Sequence, residues 1–439
     1  MATAAPSRAR PSAIPLPIPR LPPVTMATRP SSDMASSPCS PGIIPAFGGR
    51  ASRAALSPPP ADCYPASKGR RNMMKLLSAV AAIAACLLAI GAATAAPIDF
   101  SARKQGDPLE HLPAGARLIS SFGERPEFSP DGKKIAFIGK SYGDAYEYNL
   151  ATGAVRNLTA HAPNSGFLRI HYLPDGSYLL LGPRRIDQDR MAMRIGKIEL
   201  WYMDKEAKGG VRPLDQIVSE GIAVSRRSDR IAWAVLQPRH SEPGEQVDEH
   251  TILKVGDVVV KDGVPALENV REIARRSSDQ CVLEAQDFRD QDREVVANCY
   301  DLGGLKLSLG KYGHIRHNTV IGVPVAGGPE KTYYDVRDGS FSEVEGIAPS
   351  EGWSLVDCGP GYGHGLDICR LELTPGGGRL SRVTRFMDYG DHRVSNGVVS
   401  PDGKWIAFQF GRGGDEAGVG MGILLMPITA SGTAITQGD

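Results

Sequence analysis

The sequence predicts an all-β fold, a six-bladed β-propeller built from four-stranded blades. The prediction rests on a hairpin motif that recurs along the chain, on the apolar strand that follows each copy, and on the absence of long helical periodicity. The motif is clearest at residues 128–137 (FSPDGKKIAF) and 399–408 (VSPDGKWIAF). Proline fixes φ at the first turn position and glycine accepts positive φ, so Pro-Asp-Gly favours a turn between two strands. A repeated hairpin of this kind indicates a repeat architecture.

Further copies, in which some motif positions carry other residues, lie between these two at residues 172–181, 224–233, 288–296 and 348–356. The resulting six copies are about 45 to 65 residues apart, a period typical of one four-stranded blade. The strand after each turn is apolar on both faces rather than alternating. Such a strand is expected to lie between neighbouring blades, with both faces buried.

The last blade requires a strand from the start of the domain. After its third strand, near residues 419–426, only a polar and weakly strand-like tail follows. Residues 116–122 (ARLISSF) precede the first blade and have no partner within it. We therefore expect this segment to be the outermost strand of the last blade, which closes the ring. The predicted propeller spans residues 96–439, with its core at about 116–427.

These motifs resemble the TolB-like propeller repeat, which is related to the WD40-like repeat. The resemblance covers about residues 116–427 and is strongest at the two Ser-Pro-Asp-Gly copies. Proteins with this repeat include the periplasmic TolB protein and the propeller domains of prolyl-oligopeptidase-like enzymes, and their functions differ. The chain has no Gly-x-Ser-x-Gly elbow and no hydrolase domain after the repeats. The resemblance therefore implies an exported propeller of undefined function, and we assign no catalytic residue.

The N-terminal region differs from the propeller. Residues 1–72 hold 15 of the 34 prolines and show no apolar periodicity, which indicates a disordered or mis-assigned upstream extension. Residues 73–95 combine a basic start, an apolar core and an Ala-x-Ala site, the features of a secretory signal peptide. Cleavage would leave a periplasmic or secreted protein with no stable membrane span. The alternatives are a membrane anchor and a lipoprotein attached through Cys86.

Charge and cysteine content narrow the function further. Residues 1–96 contain 10 Lys and Arg but 2 Asp and Glu, which leaves 40 basic and 47 acidic residues and a net charge of about −7. Nucleic-acid binding is therefore disfavoured.

Four cysteines remain, Cys281, Cys299, Cys358 and Cys369, and each of the pairs 281–299 and 358–369 flanks a predicted hairpin. We expect these two disulfides in an exported protein, although other pairings and a zinc site are alternatives.

Candidate site residues lie about four to seven positions before each turn, where the inner strand of a blade faces the central channel. They are Arg125, Arg169, His171, Glu220, Glu284, Asp287, Glu345 and Asn396. Glu220, Glu284 and Glu345 come from successive blades and would repel each other unless a cation or cationic ligand lies between them. These three are therefore predicted metal ligands, with a divalent cation as the one cofactor considered. A solvated, salt-bridged channel is the alternative.

The sequence leaves two functions open. The first is an exported scaffold that binds a protein, peptide or glycan partner without catalysis. The alternative is a metal-assisted propeller enzyme, of the polysaccharide lyase or lactonase type, that uses a cation in the central channel. The sequence sets neither the ligand nor the oligomeric state.

Overall fold

The computed structural model describes residues 98–101, 104–162, 166–237, 249–303, 315–335, 337–361, 363–415 and 419–428. These residues form six four-stranded antiparallel sheets arranged as a propeller, as the sequence predicts. The extension at 1–72 and the signal peptide at 73–95 lie outside the described residues. In the part of the chain that is described, no helix is long and apolar enough to cross a membrane.

In each of the first five blades, four consecutive strands run from the channel to the outer edge. The first two blades contain β2 (Glu124–Phe128), β3 (Lys134–Ile138), β4 (Ala145–Asn149) and β5 (Val155–Asn157), then β6 (Arg169–Tyr172), β7 (Tyr178–Pro183), β8 (Ile198–Met203) and β9 (Val211–Val218). The third and fourth contain β10 (Ile222–Val224), β11 (Arg230–Gln237), β12 (His250–Lys261) and β13 (Val264–Ser277), then β14 (Val282–Arg289), β15 (Glu294–Asp301), β16 (His317–Pro324) and β17 (Lys331–Tyr334). The fifth contains β18 (Phe341–Ile347), β19 (Trp353–Gly359), β20 (Asp367–Glu372) and β21 (Leu380–Arg382).

The sixth blade joins both ends of the domain. It consists of β22 (His392–Val399), β23 (Trp405–Arg412), β24 (Gly422–Pro427) and, outermost, β1 (Arg117–Ser120). β1 pairs antiparallel with β24, which confirms the predicted closure. The guanidinium of Arg117 lies 5.5 Å from the ring centroid of Trp405. Ile119 packs against a cluster that contains Phe128 and Leu425, so closure also joins the cores of the first and last blades.

Short helical segments occur between strands. Arg190–Gly196 forms a short α-helix, α1, between β7 and β8. Pro108–His111 and Phe386–Tyr389 form 3-10 helices. Because α1 connects the second and third strands of its blade, it lies on the propeller face that carries such connections. This position brings its side chains to one mouth of the channel.

The Ser-Pro-Asp-Gly turns explain why the motif is repeated. The Ser129 hydroxyl donates to Asp131 over 2.7 Å and accepts the Lys134 backbone N–H over 2.9 Å. Ser400 makes the equivalent pair of bonds, with Asp402 at 2.6 Å and the Trp405 N–H at 2.9 Å. The serine and aspartate side chains therefore form hydrogen bonds within each of these two turns, which stabilise the turn and keep the inner and second strands paired in register.

The core lies between blades rather than in one centre. All six residues of β7 are buried, as are Ile135, Ala136, Phe137 and Ile138 in β3. One apolar cluster joins the second and third blades through Leu181, Ile198 and Trp233. Burial on both faces is why these strands read as continuous apolar runs in the sequence.

Both predicted disulfides are present. Cys281 directly precedes β14 and is bonded to Cys299 in β15, with 5.3 Å between their Cα atoms. Cys358 in β19 is bonded to Cys369 in β20, with 5.8 Å between their Cα atoms. Each bond joins neighbouring strands of one blade. Zinc ligation by these four cysteines, the alternative, is incompatible with this pairing.

Candidate functional site

The central channel contains two cavities that open on opposite faces. The turn-side cavity, of about 310 Å³, is lined by turn prolines such as Pro130 and Pro401. The loop-side cavity, of about 550 Å³, is lined by residues that connect second and third strands, including Arg194 of α1 and His364. Arg125, Arg169 and Asn396 line both cavities and separate them.

β-bulges shape the inner strands at the channel. The register shifts between Glu124 and Glu127 in β2, Ala285 and Asp287 in β14, Val344 and Ile347 in β18, and Ser395 and Val398 in β22. Two bulge residues have positive φ, Arg125 at 51° and Asn396 at 54°. A bulge re-aims a side chain and interrupts strand pairing, and strained backbone of this kind is concentrated at functional sites.

The two strained residues are fixed by side chains from neighbouring strands. The Arg125 backbone N–H donates to the Gln409 side-chain oxygen over 2.8 Å. The Asn396 N–H lies 3.0 and 3.2 Å from the two carboxylate oxygens of Asp357. These bonds replace strand hydrogen bonds lost at the bulges, so both side chains are held at the boundary between the cavities.

Arginines surround one of the predicted carboxylates. Glu220, in the connection between β9 and β10, accepts from Arg125 over 2.5 Å and from Arg194, and lies 3.9 Å from Arg169. Burial opposes ionisation of Glu220, but the guanidinium groups of Arg194, Arg125 and Arg169 outweigh it and hold the pKa of this carboxyl well below its usual range. Glu220 is therefore an ionised member of an arginine cluster.

Three carboxylates converge on the opposite wall. Glu343 on β18 lines the loop-side cavity and is paired directly with Asp357 on β19, whereas Glu345, two residues further on and within the β18 bulge, lines the turn-side cavity. One oxygen from each of the three lies within 4.8 Å of the others. The Tyr300 hydroxyl donates to Glu343 over 2.6 Å, and the Asn396 amide donates to Glu345 over 2.8 Å. We call Glu343, Glu345 and Asp357 the carboxylate triad.

Glu284 on β14 lies beside the triad. Its side chain is 4% exposed, lines the loop-side cavity, and makes no hydrogen bond or ion pair with any residue that the structure describes. Gly221 leaves space for the Glu284 side chain, since a Cβ at position 221 would lie 2.1 Å from Glu284 Cγ and 2.6 Å from the Ala285 carbonyl oxygen. A glycine after Glu220 thus determines where the next blade's carboxylate sits.

Burial and mutual repulsion raise the pKa of every carboxyl on this wall. Burial and Glu343 raise the pKa of Glu284 well above its usual value, and burial and Glu345 do the same for the pKa of Asp357. Burial and the neighbouring Glu343 raise the pKa of Glu345 to about 7. Burial is also the main cause of the raised pKa of Glu343. The wall therefore holds more buried carboxyl groups than its neighbouring cations compensate.

The turn-side cavity has a separate set of ion pairs. Asp287 lies 2.7 Å from Arg226 and accepts the backbone N–H groups of Ile347 and Phe288 over 2.9 and 2.8 Å. His171 lies 3.3 Å from Glu127. Asp287 is thus held by contacts from the third and fifth blades as well as its own, whereas the Nε2 of His171 is buried without a hydrogen-bond partner among the described residues.

All eight candidate residues from the sequence line the channel, but the structure divides them. Glu220 and Glu284 line the loop-side cavity, while His171, Asp287 and Glu345 line the turn-side cavity. Arg125, Arg169 and Asn396 line both. Of the predicted metal ligands, Glu220 is ion-paired with arginines, whereas Glu345 belongs to the triad and Glu284 lies beside it.

Four residues of the site do not appear among the sequence candidates: Glu343, Asp357, Arg194 and Arg393. Two signals in the sequence identify the acidic pair. Glu343 is two residues before Glu345, the spacing of neighbours on one face of a regular strand, and hairpin pairing across the turn after β18 places Asp357 opposite Glu343. Arg194 lies on a short helix between strands, and the local sequence carries no signal that directs it to the channel.

Comparison with known proteins adds little beyond the fold. No protein-family description and no curated protein matches the chain. Among solved structures, a gluconolactonase from Xanthomonas campestris is similar over 74% of this chain and 94% of its own, at 11% identity and a TM-score of 0.43. A putative TolB from Agrobacterium tumefaciens is similar over 64% and 87%, at 14% identity and 0.43. An oligogalacturonate lyase from Vibrio parahaemolyticus is similar over 73% and 93%, at 11% identity and 0.39. The propeller is therefore assigned from this chain's own strand topology.

Proposed function

We propose that this protein is an exported β-propeller scaffold that binds a segment of a protein, peptide or glycan partner in its loop-side cavity. The observation that carries the proposal is a cavity of about 550 Å³ whose wall holds a nearly buried carboxylate, Glu284, with no partner among the described residues. Ligand cavities commonly have volumes of this order and a few convergent polar groups. A cavity of this size accepts a side chain or a sugar unit, so the partner would insert a segment rather than dock a flat surface.

The charges of the cavity indicate what such a segment would carry. Basic groups or several hydroxyls would satisfy Glu284 and the carboxylate triad, because a nearby cation favours the ionised form of these carboxyls and ionised carboxylates accept hydrogen bonds. Arg194 and Arg393 line the same cavity and would contact anionic or polar atoms of the ligand. The Nε of Arg393 is buried without a hydrogen-bond partner in the described part of the chain.

Export is supported by the two disulfides. Disulfides persist in oxidising compartments and are rare in the cytosol of most cells. Together with the signal-like segment at residues 73–95, they support the proposal that the protein binds its partner in the periplasm or outside the cell.

Binding arrays with matched variants test the proposal. The purified protein is applied to arrays of basic and acidic peptides and of neutral and acidic glycans, and hits are measured by calorimetry. We expect Glu284→Gln and Arg393→Gln to weaken binding at least tenfold, while Glu268→Gln on the outer hairpin of the third blade leaves it unchanged. A ligand that binds the wild type and all three variants with equal affinity would show that the cavity is not the binding site. The absence of any hit would contradict the scaffold function.

A second candidate is the metal-assisted propeller enzyme, of the polysaccharide lyase or lactonase type. One specific observation favours it: three carboxylate oxygens of the triad lie within 4.8 Å of one another at the channel. A bound cation would act as a Lewis acid toward a carbonyl or carboxylate of the substrate. Release of unsaturated uronides or hydrolysis of lactones by the purified protein, with loss of activity on chelation, would favour the enzyme over the scaffold.

A further inference from the structure

The carboxylate triad has the dimensions of a cation site. Calcium binds oxygens at about 2.4 Å, so ligands on opposite sides of the ion are about 4.8 Å apart. The triad oxygens lie within that separation. Their geometry is held by hydrogen bonds, since Tyr300 donates to Glu343, the Asn396 amide donates to Glu345, and the Asn396 backbone N–H donates to Asp357.

The surroundings of the triad do not neutralise it. Arg169 is the one cation within ion-pair distance of it among the described residues, 3.7 Å from Glu345. The Tyr300 hydroxyl and the Asn396 amide donate hydrogen bonds but carry no charge. Asp357 is 1% exposed, so water does not solvate it from outside. Buried charges without a counter-charge are costly, which favours a ligand that supplies positive charge.

Glu284 is an independent observation that points to the same place. It comes from a different blade, and its side chain is 4% exposed and makes no hydrogen bond or ion pair with the described residues. It faces the loop-side cavity, where Glu343 and Glu345 repel its charge and Arg169 attracts it without forming an ion pair. A carboxylate that served only the fold would be paired, as Glu220 is with its arginines.

We infer that Glu343, Glu345 and Asp357, with Glu284 beside them, bind one divalent cation at the floor of the loop-side cavity, where it borders the turn-side cavity that Glu345 lines. The ligand atoms are all carboxylate oxygens, which selects hard ions such as Ca²⁺, Mn²⁺ or Mg²⁺ over Zn²⁺, which favours nitrogen and sulfur ligands. The open cavity of about 550 Å³ allows water or a ligand oxygen to complete the coordination shell. The set differs from the three glutamates that the sequence indicates, because Glu220 is held by arginines.

This cation site extends the second candidate function, the metal-assisted propeller enzyme. It depends on that function only as far as catalysis is concerned, because cation binding is measured without any substrate. Chelator-treated full-length mature protein is titrated with CaCl₂, MnCl₂, MgCl₂ and ZnCl₂ by calorimetry, and its melting temperature is followed in parallel. We expect one ion per chain, tighter binding of Ca²⁺ or Mn²⁺ than of Zn²⁺, and a rise in melting temperature with the preferred ion.

Charge-neutral variants locate the ion. Glu343→Gln and Asp357→Asn should each weaken binding at least tenfold and abolish the thermal shift, whereas Glu268→Gln on the outer hairpin should bind as the wild type does. Glu284→Gln tests the site without touching a hydrogen-bonded residue, which separates loss of binding from loss of folding. No binding at millimolar ion, or binding by both Glu343→Gln and Glu284→Gln that is as tight as that of the wild type, would overturn the inference. Binding of a basic peptide by a protein that binds no ion would also overturn it, yet leave the scaffold function intact.

Discussion

The two disulfides make a quantitative prediction about stability. They join residues 18 and 11 positions apart, so each closes a short loop in the unfolded chain. Loop-closure entropy for these lengths corresponds to about 3.2 and 2.8 kcal/mol at 25 °C. Reduction of both should therefore lower the free energy of unfolding by about 6 kcal/mol, a large part of the 5 to 15 kcal/mol typical of a domain. Cys299 is half-buried while its counterparts are buried, so the Cys281–Cys299 bond should be reduced first.

Urea unfolding with and without a phosphine reductant measures this effect, and thiol titration establishes that the bonds have been reduced. The matched variants replace one cysteine pair at a time by alanine and should each lose about 3 kcal/mol, with a further loss of about 3 kcal/mol on reduction. A variant without either pair is the control and should not respond to reductant. An unfolding free energy that is the same before and after full reduction would refute the loop-closure reasoning.

Three further predictions concern packing, charge and closure. Gly221→Ala places a Cβ 2.1 Å from Glu284 Cγ and should cost at least about 1–3 kcal/mol in urea unfolding, whereas Gly377→Ala, with open space around it, should be neutral. Burial opposes ionisation of Glu147, but hydrogen bonds from Tyr178 and a second tyrosine lower its pKa. Its contribution is thus present above pH 4.5 and lost as the pH falls through the lowered pKa, so Glu147→Gln should destabilise by about 1–3 kcal/mol at pH 7 and progressively less as the pH falls below 4.5. Deletion of residues 97–122 should lower the melting temperature far more than deletion of 429–439, and equal melting would contradict closure through β1.

The fold is predictable because its signals are local. In each blade a turn joins the inner and second strands, and in the first and last blades its Ser, Pro, Asp and Gly have separate physical roles. The strand after the turn is apolar on both faces because neighbouring blades cover both sides. Ring closure follows from counting strands, since a blade left one strand short would expose an edge. The disulfides follow from hairpin register. None of these steps requires knowledge of distant contacts.

The site is less predictable because its geometry depends on bulges and on long-range pairs. Distance from the turn locates the channel residues, but the bulge at Asn396 changes which way that side chain points. Whether a buried carboxylate has a counter-charge depends on residues that are distant in sequence. Glu220 is bonded to Arg194 of a helix 26 residues earlier, while the side chain of Glu284 makes no hydrogen bond or ion pair with the described residues. Glu343 is the exception, since its spacing from Glu345 alone predicts that the two carboxylates are neighbours.

The distribution of charge around the loop-side cavity is the reason why we propose a role in ligand binding for it. Arg125, Arg169 and Arg194 belong to the first two blades and hold Glu220, whereas Glu284 and the carboxylate triad belong to the fourth and fifth blades. A channel selected for stability alone would pair the two signs across its width, because each unpaired buried charge costs free energy. Walls of opposite sign instead attract and orient a ligand that carries both charges, in a site where salt screens little. A cation bound on the acidic wall would satisfy that wall and leave the arginines of the other available to anionic or polar groups of the partner.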